Sequence, residues 1–268
     1  MSAFNHESFD KTKHLQLPFE IRMKNPLISE PFPFLTTEGL ALIRTVLKDD
    51  LDAGNCIHWS KIAPAVHRGL QMRSAFVRDL WNAPEIAEGV SSAMGVEVCL
   101  HKQRYEQIQF NRSDPNNERD TFNWHFDSQP YTMIVLVSDP AGDCDANTKF
   151  RYEGKEDSLK FPAAGYAYII NGVALEHMVT GDGTERISMV VTFQFKDPFL
   201  MDKSNMVLGL QYTPDKLALY ADYINYRLQR MREVLASEDH SAEEKNEAIA
   251  SIMHHMQVET NRFTPSDL

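Results

Sequence analysis

Cysteine is scarce in this chain. Its three cysteines, Cys56, Cys99 and Cys144, lie far apart among 268 residues. No pair has metal-binding spacing, and an odd, sparse set fits a reducing compartment better than a disulfide scaffold. Long apolar runs are also missing. The longest, Met133–Val137 and Tyr166–Ile170, fall well short of the roughly 20 residues that span a bilayer. Basic charge is in deficit: 27 Lys and Arg against 38 Asp and Glu leave a formal charge of −11. That balance argues against nucleic-acid and anionic-membrane partners, both of which reward a basic face. The first residues lack the charged-then-apolar layout of a signal peptide. The last three, Ser266-Asp267-Leu268, lack the basic middle residue of a peroxisomal address. The expectation is a soluble cytoplasmic protein. Its apolar content of 43% can build a full core and argues against disorder.

Internal repeats and low-complexity tracts are absent too, so the chain is read from its periodicities. Residues 1–35 carry Pro18, Pro26, Pro31 and Pro33, which predicts an extended surface arm with little regular structure. Thr36 or Thr37 can cap a helix in which Leu40, Ile43 and Leu47 keep helical spacing. Further helices are expected over about Gln71–Trp81 and from Pro84 to a stop at Gly95. The period then changes to two. Val96–Leu100, Arg104–Asn111, Tyr131–Ser138, Lys149–Glu153, Gly165–Ile170, Leu175–Val179 and Arg186–Lys196 all read as strands, and turn residues fill the gaps. Helical spacing returns in the stripe Leu217, Tyr220, Ile224, Leu228, Met231 and Leu235, with Pro214 in the first turn, and again over Ala242–Phe263. The expected layout is one domain over 1–268: arm and helices to residue 95, a β core over 96–197, and C-terminal helices over 198–268. Many short strands in about 100 residues suggest a sandwich or barrel.

The strand block holds Trp124-His125-Phe126-Asp127. Residues i and i+2 of an extended strand point the same way, so His125 and Asp127 present an imidazole and a carboxylate side by side. These are two of the three ligands of a facial triad on non-haem Fe(II). His177, in a later strand, is the candidate third. If the turn Thr180–Gly183 joins two paired strands with Val179 opposite Thr184, His177 faces Arg186 and shares a side with Ser188. A guanidinium there can grip a carboxylate through two parallel hydrogen bonds, with the Ser188 hydroxyl beside it.

The ordered set HFD at 125–127, His177 and RIS at 186–188 resembles the signature of the Fe(II)/2-oxoglutarate-dependent oxygenases over roughly residues 95–197. The resemblance implies a double-stranded β-helix (a jelly roll, cupin-like) with flanking helices. It implies iron on His125, Asp127 and His177, 2-oxoglutarate on Arg186 and Ser188, O₂ as oxidant and ascorbate as activator. NWHFD is also similar to a narrower branch of small amino-acid hydroxylases and carrier-independent amino-acid halogenases. Those halogenases carry Gly at the carboxylate position. Asp127 therefore favours hydroxylation.

Candidate substrate contacts follow from alternation. Arg186, Ser188, Val190, Thr192 and Gln194 share one strand face and Ile187 to Phe195 the other, so Thr192 and Gln194 are candidates if the polar face lines the site. Gln109 and Asn111 precede the metal pair, and Asn123 and Tyr131 flank it. Gln103 and Tyr105 are read as ordinary surface positions. The long polar loop 111–121 is read as a lid beside the site, with Arg112 and Arg119 either meeting an anionic group on the substrate or serving as solubilising charges, and 139–147 as a second rim element. The histidines at 6, 14, 58, 67, 101, 240, 254 and 255 are read as surface or packed residues. The leading expectation is hydroxylation of a small polar metabolite, a free amino acid or natural-product intermediate. The alternatives are peptide or protein side-chain hydroxylation, desaturation or cyclisation, and a cupin-like binding protein without turnover. The C-terminal stripe suggests a homodimer.

Overall fold

The computed structural model describes residues 6–55, 57–58, 65–113, 122–139, 147–180, 186–200, 204 and 216–261. The chain begins with a short helix α1 (Lys11–His14) and three short strands, β1 (Met23–Asn25), β2 (Ile28–Ser29) and β3 (Phe32–Pro33). The arm expected to lie over the surface is thus built into the fold. Its strands pair at an edge with β12 (Tyr166–Ile170), an edge being where a strand tolerates proline. Its aromatics reach the core: Phe32 and Phe34 are buried, and Phe34 stacks on Trp81 with ring centroids 5.2 Å apart.

Helix α2 (Thr37–Asp52) starts at Thr36, whose hydroxyl accepts from the Gly39 N–H at 3.0 Å. It buries Ile43, Val46 and Leu47. The single helix expected over 71–81 is two, α3 (Leu70–Arg73) and α4 (Ala75–Trp81), because Ser74 breaks the first and caps the second. Helix α5 (Pro84–Met94) begins on its proline and ends at Gly95, whose φ of 67° is the left-handed stop expected there. Asp50 of α2 ties this layer to the strand β5 (Ala65–Arg68). It accepts from Arg73 Nε and Nη2 at 2.7 and 2.6 Å and lies 2.6 Å from His67 Nε2.

Among the described residues, two antiparallel sheets follow. The larger runs β1-β2-β12-β9-β14-β7-β5-β4, with β3 on β12 and β6 on β14. Its further members are β4 (Ile57–His58), β6 (Val98–Leu100), β7 (Ile108–Arg112), β9 (Tyr131–Leu136) and β14 (Ile187–Phe195). The smaller runs β11-β10-β13-β8, from β8 (Phe122–His125), β10 (Thr148–Tyr152), β11 (Lys155–Leu159) and β13 (Glu176–Val179). One face of the larger sheet meets the helices through Met133, Val135, Met189, Val191 and Phe193, in a core shared with Ile43, Phe76, Leu80 and Trp81. The other face meets the smaller sheet through Ile134, Leu136 and Tyr168 against Phe150 and Leu159. The result is a mainly β core with helical flanks, as expected.

Three local expectations fail. The strand read as Arg104–Asn111 opens with a helical turn, α6 (Arg104–Gln107), and β7 begins only at Ile108. Gln103, read as a surface residue, is fully buried. The hairpin joining His177 to Arg186 does not form. Strand β13 pairs with β10 and β8, whereas β14 pairs with β7, β9 and β6. The two strands belong to different sheets.

The C-terminal helices are α7 (Lys216–Ala236) and α8 (Ala242–Thr260), the second opened by a Ser241/Glu244 capping box. Helix α7 buries Leu219, Tyr223, Tyr226 and Val234. Leu217, Leu228 and Leu235 from the stripe read in the sequence are on its exposed side. Among the described residues no helix is long and apolar enough to cross a membrane. Pro214, Arg119 and the residues 114–121, 140–146 and 181–185, including most of the two expected rim stretches, lie outside the described residues.

Candidate active site

The smaller sheet brings the two histidines together. His125 ends β8, His177 lies in β13, and their Cα atoms are register partners. The ring centroids are 4.3 Å apart. Each ring is held the same way: Nδ1 meets the backbone carbonyl two residues earlier, Asn123 O at 2.7 Å for His125 and Leu175 O at 2.9 Å for His177. A carbonyl only accepts, so Nδ1 carries the proton and Nε2 the lone pair. Such a carbonyl partner on the second ring nitrogen is the usual support of a metal-ligating histidine.

Asp127 lies two residues beyond β8 and turns Oδ1 to both rings, 3.7 Å from His125 Nε2 and 3.6 Å from His177 Nε2. The other oxygen, Oδ2, accepts from Thr132 Oγ1 at 3.1 Å, and the Asp127 N–H donates to Gly172 O at 2.9 Å. Two imidazole lone pairs and a carboxylate oxygen thus converge within 4.8 Å of one another. Three such donors within this distance can hold a metal ion, and two imidazoles with one carboxylate suit Fe(II). The donor set fits the iron that the motif implies.

The three groups also shift one another's protonation. Burial alone would raise Asp127, but His177, His125 and the Thr132 hydroxyl outweigh it and hold the carboxyl below its ordinary value. Burial lowers His177, with the Asp127 carboxylate opposing it. At His125 burial also disfavours charge, yet Asp127 prevails and the ring is raised.

The same cavity continues between the sheets. Its wall includes Arg186 and Ser188 from the β14 end, Gln109 and Asn111 from β7, and Ile134, Tyr168 and Val190. Arg186 is buried, and its backbone N–H is fixed by Ser113 Oγ at 2.6 Å. Its guanidinium carbon stands 5.6 Å from the Phe161 ring centroid. The Tyr168 hydroxyl is 2.7 Å from Thr148 Oγ1; burial raises it, and Arg186 beside it pulls the other way. Arg186 and Ser188 therefore share the cavity with the three donors through the packing of two sheets, not through the hairpin read from the sequence.

The six candidate substrate residues divide. Gln109 and Asn111 line the cavity. The other four do not. Asn123 is exposed and supplies its carbonyl to His125. Tyr131 packs edge-on against Phe195 in the helix-side core. Thr192 donates to Glu106 O, and Gln194 accepts from the Lys102 N–H at 2.8 Å. The inward face of β14 continues past the cavity into a buried polar layer, which removes Thr192 and Gln194 from it.

That layer holds a pair absent from the sequence reading. Arg68 Nη1 lies 2.7 Å from Glu106 Oε1, both side chains buried, and Arg68 Nη2 donates to Gln109 Oε1. Gln129 Nε2 donates to Glu106 Oε2 at 3.3 Å. Thr132, Gly172 and Tyr168 were also missed. The dipeptide Asn171-Gly172 was the one available signal, a turn beside which another backbone can approach closely.

No family model matches the chain, and no curated protein matches it in sequence. Solved structures do. A prolyl 4-hydroxylase from Phytophthora capsici is similar over 90% of this chain and 85% of that one, at 11% identity and a TM-score of 0.50. SnoN, a non-haem alpha-ketoglutarate-dependent epimerase from nogalamycin biosynthesis, is similar over 60% and 75%, at 16% identity and 0.48. An oxidoreductase of the 2OG-Fe(II) oxygenase family from Burkholderia pseudomallei is similar over 59% and 78%, at 16% identity and 0.45.

Proposed function

The shared fold is the Phytophthora capsici hydroxylase's, and on it we propose an Fe(II)/2-oxoglutarate-dependent dioxygenase. In this reading the two-sheet core is a double-stranded β-helix. The reaction hydroxylates an unactivated C–H bond of a small polar metabolite, a free amino acid or a natural-product intermediate. The carrying observation is the convergence of His125 Nε2, His177 Nε2 and Asp127 Oδ1 in a cavity that also holds Arg186 and Ser188.

His125, Asp127 and His177 would hold the metal. With 2-oxoglutarate and O₂, a bound Fe(II) would supply oxidising chemistry whose products are succinate, carrying one oxygen atom of O₂, CO₂, and the substrate carrying the other oxygen atom. Arg186 and Ser188 bind the far carboxylate of 2-oxoglutarate and so orient it. Val190, Ile134 and Tyr168 exclude water from the space between. Gln109 offers a polar handle to the substrate, its amide oriented by Arg68, and Asn111 offers a second. Asp127 supports hydroxylation over halogenation, since a carboxylate occupies the position a halide needs. Ascorbate is the expected activator, keeping the metal reduced.

The test is an aerobic incubation of the protein with Fe(II), ascorbate, 2-oxoglutarate and a panel of free amino acids, following succinate and product mass together. One amino acid that stimulates succinate and gains one oxygen atom supports the whole reading. Loss of two hydrogens would instead indicate a desaturase or cyclase. Succinate formation that no amino acid stimulates moves the substrate to other metabolites or peptides. No succinate and no 2-oxoglutarate binding removes the catalytic reading in favour of a binding barrel.

A further inference from the structure

Gly172 stands where Asp127 needs room. A Cβ built on Gly172 would lie 2.0 Å from Asp127 Oδ2, 2.5 Å from its Cγ and 2.6 Å from its Cβ. Non-bonded carbon atoms sit about 3.5–4.0 Å apart, so the carboxylate occupies the volume that any other residue's side chain would fill. The backbones are tied at the same place by the Asp127 N–H to Gly172 O bond of 2.9 Å. Across from the glycine, Thr132 Oγ1 donates to the same Oδ2 at 3.1 Å. One oxygen is therefore clamped between a hydroxyl and a bare Cα, and the other faces both imidazoles at 3.6 and 3.7 Å.

We propose that Gly172 and Thr132 are positioning residues that reserve Oδ1 of Asp127 for a divalent metal and keep Oδ2 off it. A carboxylate can bind a cation through one oxygen or through both. Binding through both would consume a position that a two-pronged co-substrate and O₂ require. Thr132 ties up Oδ2 with a hydrogen bond. Gly172 leaves room for the observed placement of the carboxylate, in which that bond and the approach to both rings coexist. The inference rests on the metal-site reading and deepens it. It assigns the coordination mode to two residues outside the donor set, of which Thr132 also lines the cavity.

The experiment uses the full chain with Mn(II), whose exchangeable waters are counted by water-proton relaxation, and with apo-protein melting as the control for folding. Thr132→Val keeps the shape and removes the hydroxyl. The expected result is a folded protein with one fewer exchangeable water on Mn(II) and 2-oxoglutarate binding weakened about 10-fold or more. Gly172→Ala should weaken Mn(II) by about 10- to 100-fold, the usual cost of losing support for a metal ligand, and should lower the apo melting temperature. Asp127→Gly removes the three atoms nearest the new Cβ. In that background Gly172→Ala should leave the melting temperature nearly unchanged.

Two results would overturn the positioning role alone: equal destabilisation by Gly172→Ala in both backgrounds, or an unchanged water count and 2-oxoglutarate affinity in Thr132→Val. Failure of the wild-type chain to bind Mn(II) at all would overturn the metal-site reading and this inference with it.

Discussion

His125 and His177 are register partners across one antiparallel strand pair, with ring centroids 4.3 Å apart. They are 52 positions apart in the chain, yet the smaller sheet makes them nearest neighbours. Each ring is turned by its own strand's backbone through an Nδ1 contact to a carbonyl. Strand pairing thus sets the distance between the rings, and local backbone sets their orientation.

Replacing either ring should therefore abolish metal binding without unfolding the sheet. For His177→Ala we expect an affinity loss larger than the roughly 10- to 100-fold that loss of a supporting group costs. Titration with Fe(II) or Co(II), beside an unchanged far-ultraviolet circular dichroism spectrum, checks it. Full metal affinity in this variant would remove His177 from the site.

Arg186→Lys keeps the charge and loses the planar fork. A hydrogen bond to a charged group contributes about 1.5–3 kcal/mol, so the KM for 2-oxoglutarate should rise on the order of 10- to 100-fold. The metal affinity should hold. Steady-state kinetics at saturating prime substrate, with a parallel metal titration, separates the two effects. An unchanged KM would mean that the far carboxylate binds elsewhere.

Asp50 gives the fold a defined acid limit. Burial opposes its charge, but Arg73 and His67 outweigh this and draw its pKa from 3.8 down to about 2. A depressed carboxyl stabilises the folded state above its unfolded pKa and loses that contribution as pH falls. The loss should fall between about pH 4 and pH 2 and amount to on the order of 2 kcal/mol. Asp50→Asn should flatten that part of the profile and also destabilise at neutral pH, because Arg73 and His67 lose their anion. Urea unfolding of both proteins across this range measures it.

The Arg68–Glu106 pair behind the cavity carries a two-part prediction. Breaking one side of a buried ion pair costs about 3–5 kcal/mol, whereas replacing both sides with apolar groups is often neutral. Arg68→Met should be strongly destabilised, and Arg68→Met with Glu106→Leu should recover most of the stability. Both variants lose the bond that orients Gln109. The recovered double variant should therefore still show a raised KM for the prime substrate with kcat little changed. A KM restored along with stability would leave Gln109 without an orienting role.

The order His125, Asp127, His177, Arg186, Ser188 came from the resemblance to a known signature; strand alternation alone pairs only His125 with Asp127 and Arg186 with Ser188. Alternation also separated the two faces of β14: Met189, Val191 and Phe193 do enter the helix-side core. Pairing between strands was not legible. The turn after Val179 suggested a hairpin, but the register partners of His177 are His125 and Phe150, and no local pattern encodes that choice. Strand β11 escaped notice because its residues are mostly exposed and charged. The stretch 103–107 was misread because two of its polar side chains, Gln103 and Glu106, are buried, Glu106 against Arg68. Polarity signals the surface only where no partner is available.

The three converging donors belong to the smaller sheet and its following turn, and Arg186 with Ser188 to the larger. A diacid held at both ends would bridge the two layers like an object between the jaws of a calliper. The jaw opening is set by residues the diacid need not touch, among them Phe150 and Leu159 packed against Leu136 and Ile170. Selection among diacids of different chain length then becomes a property of core thickness, and trimming Leu159 would retune it from beyond the cavity wall.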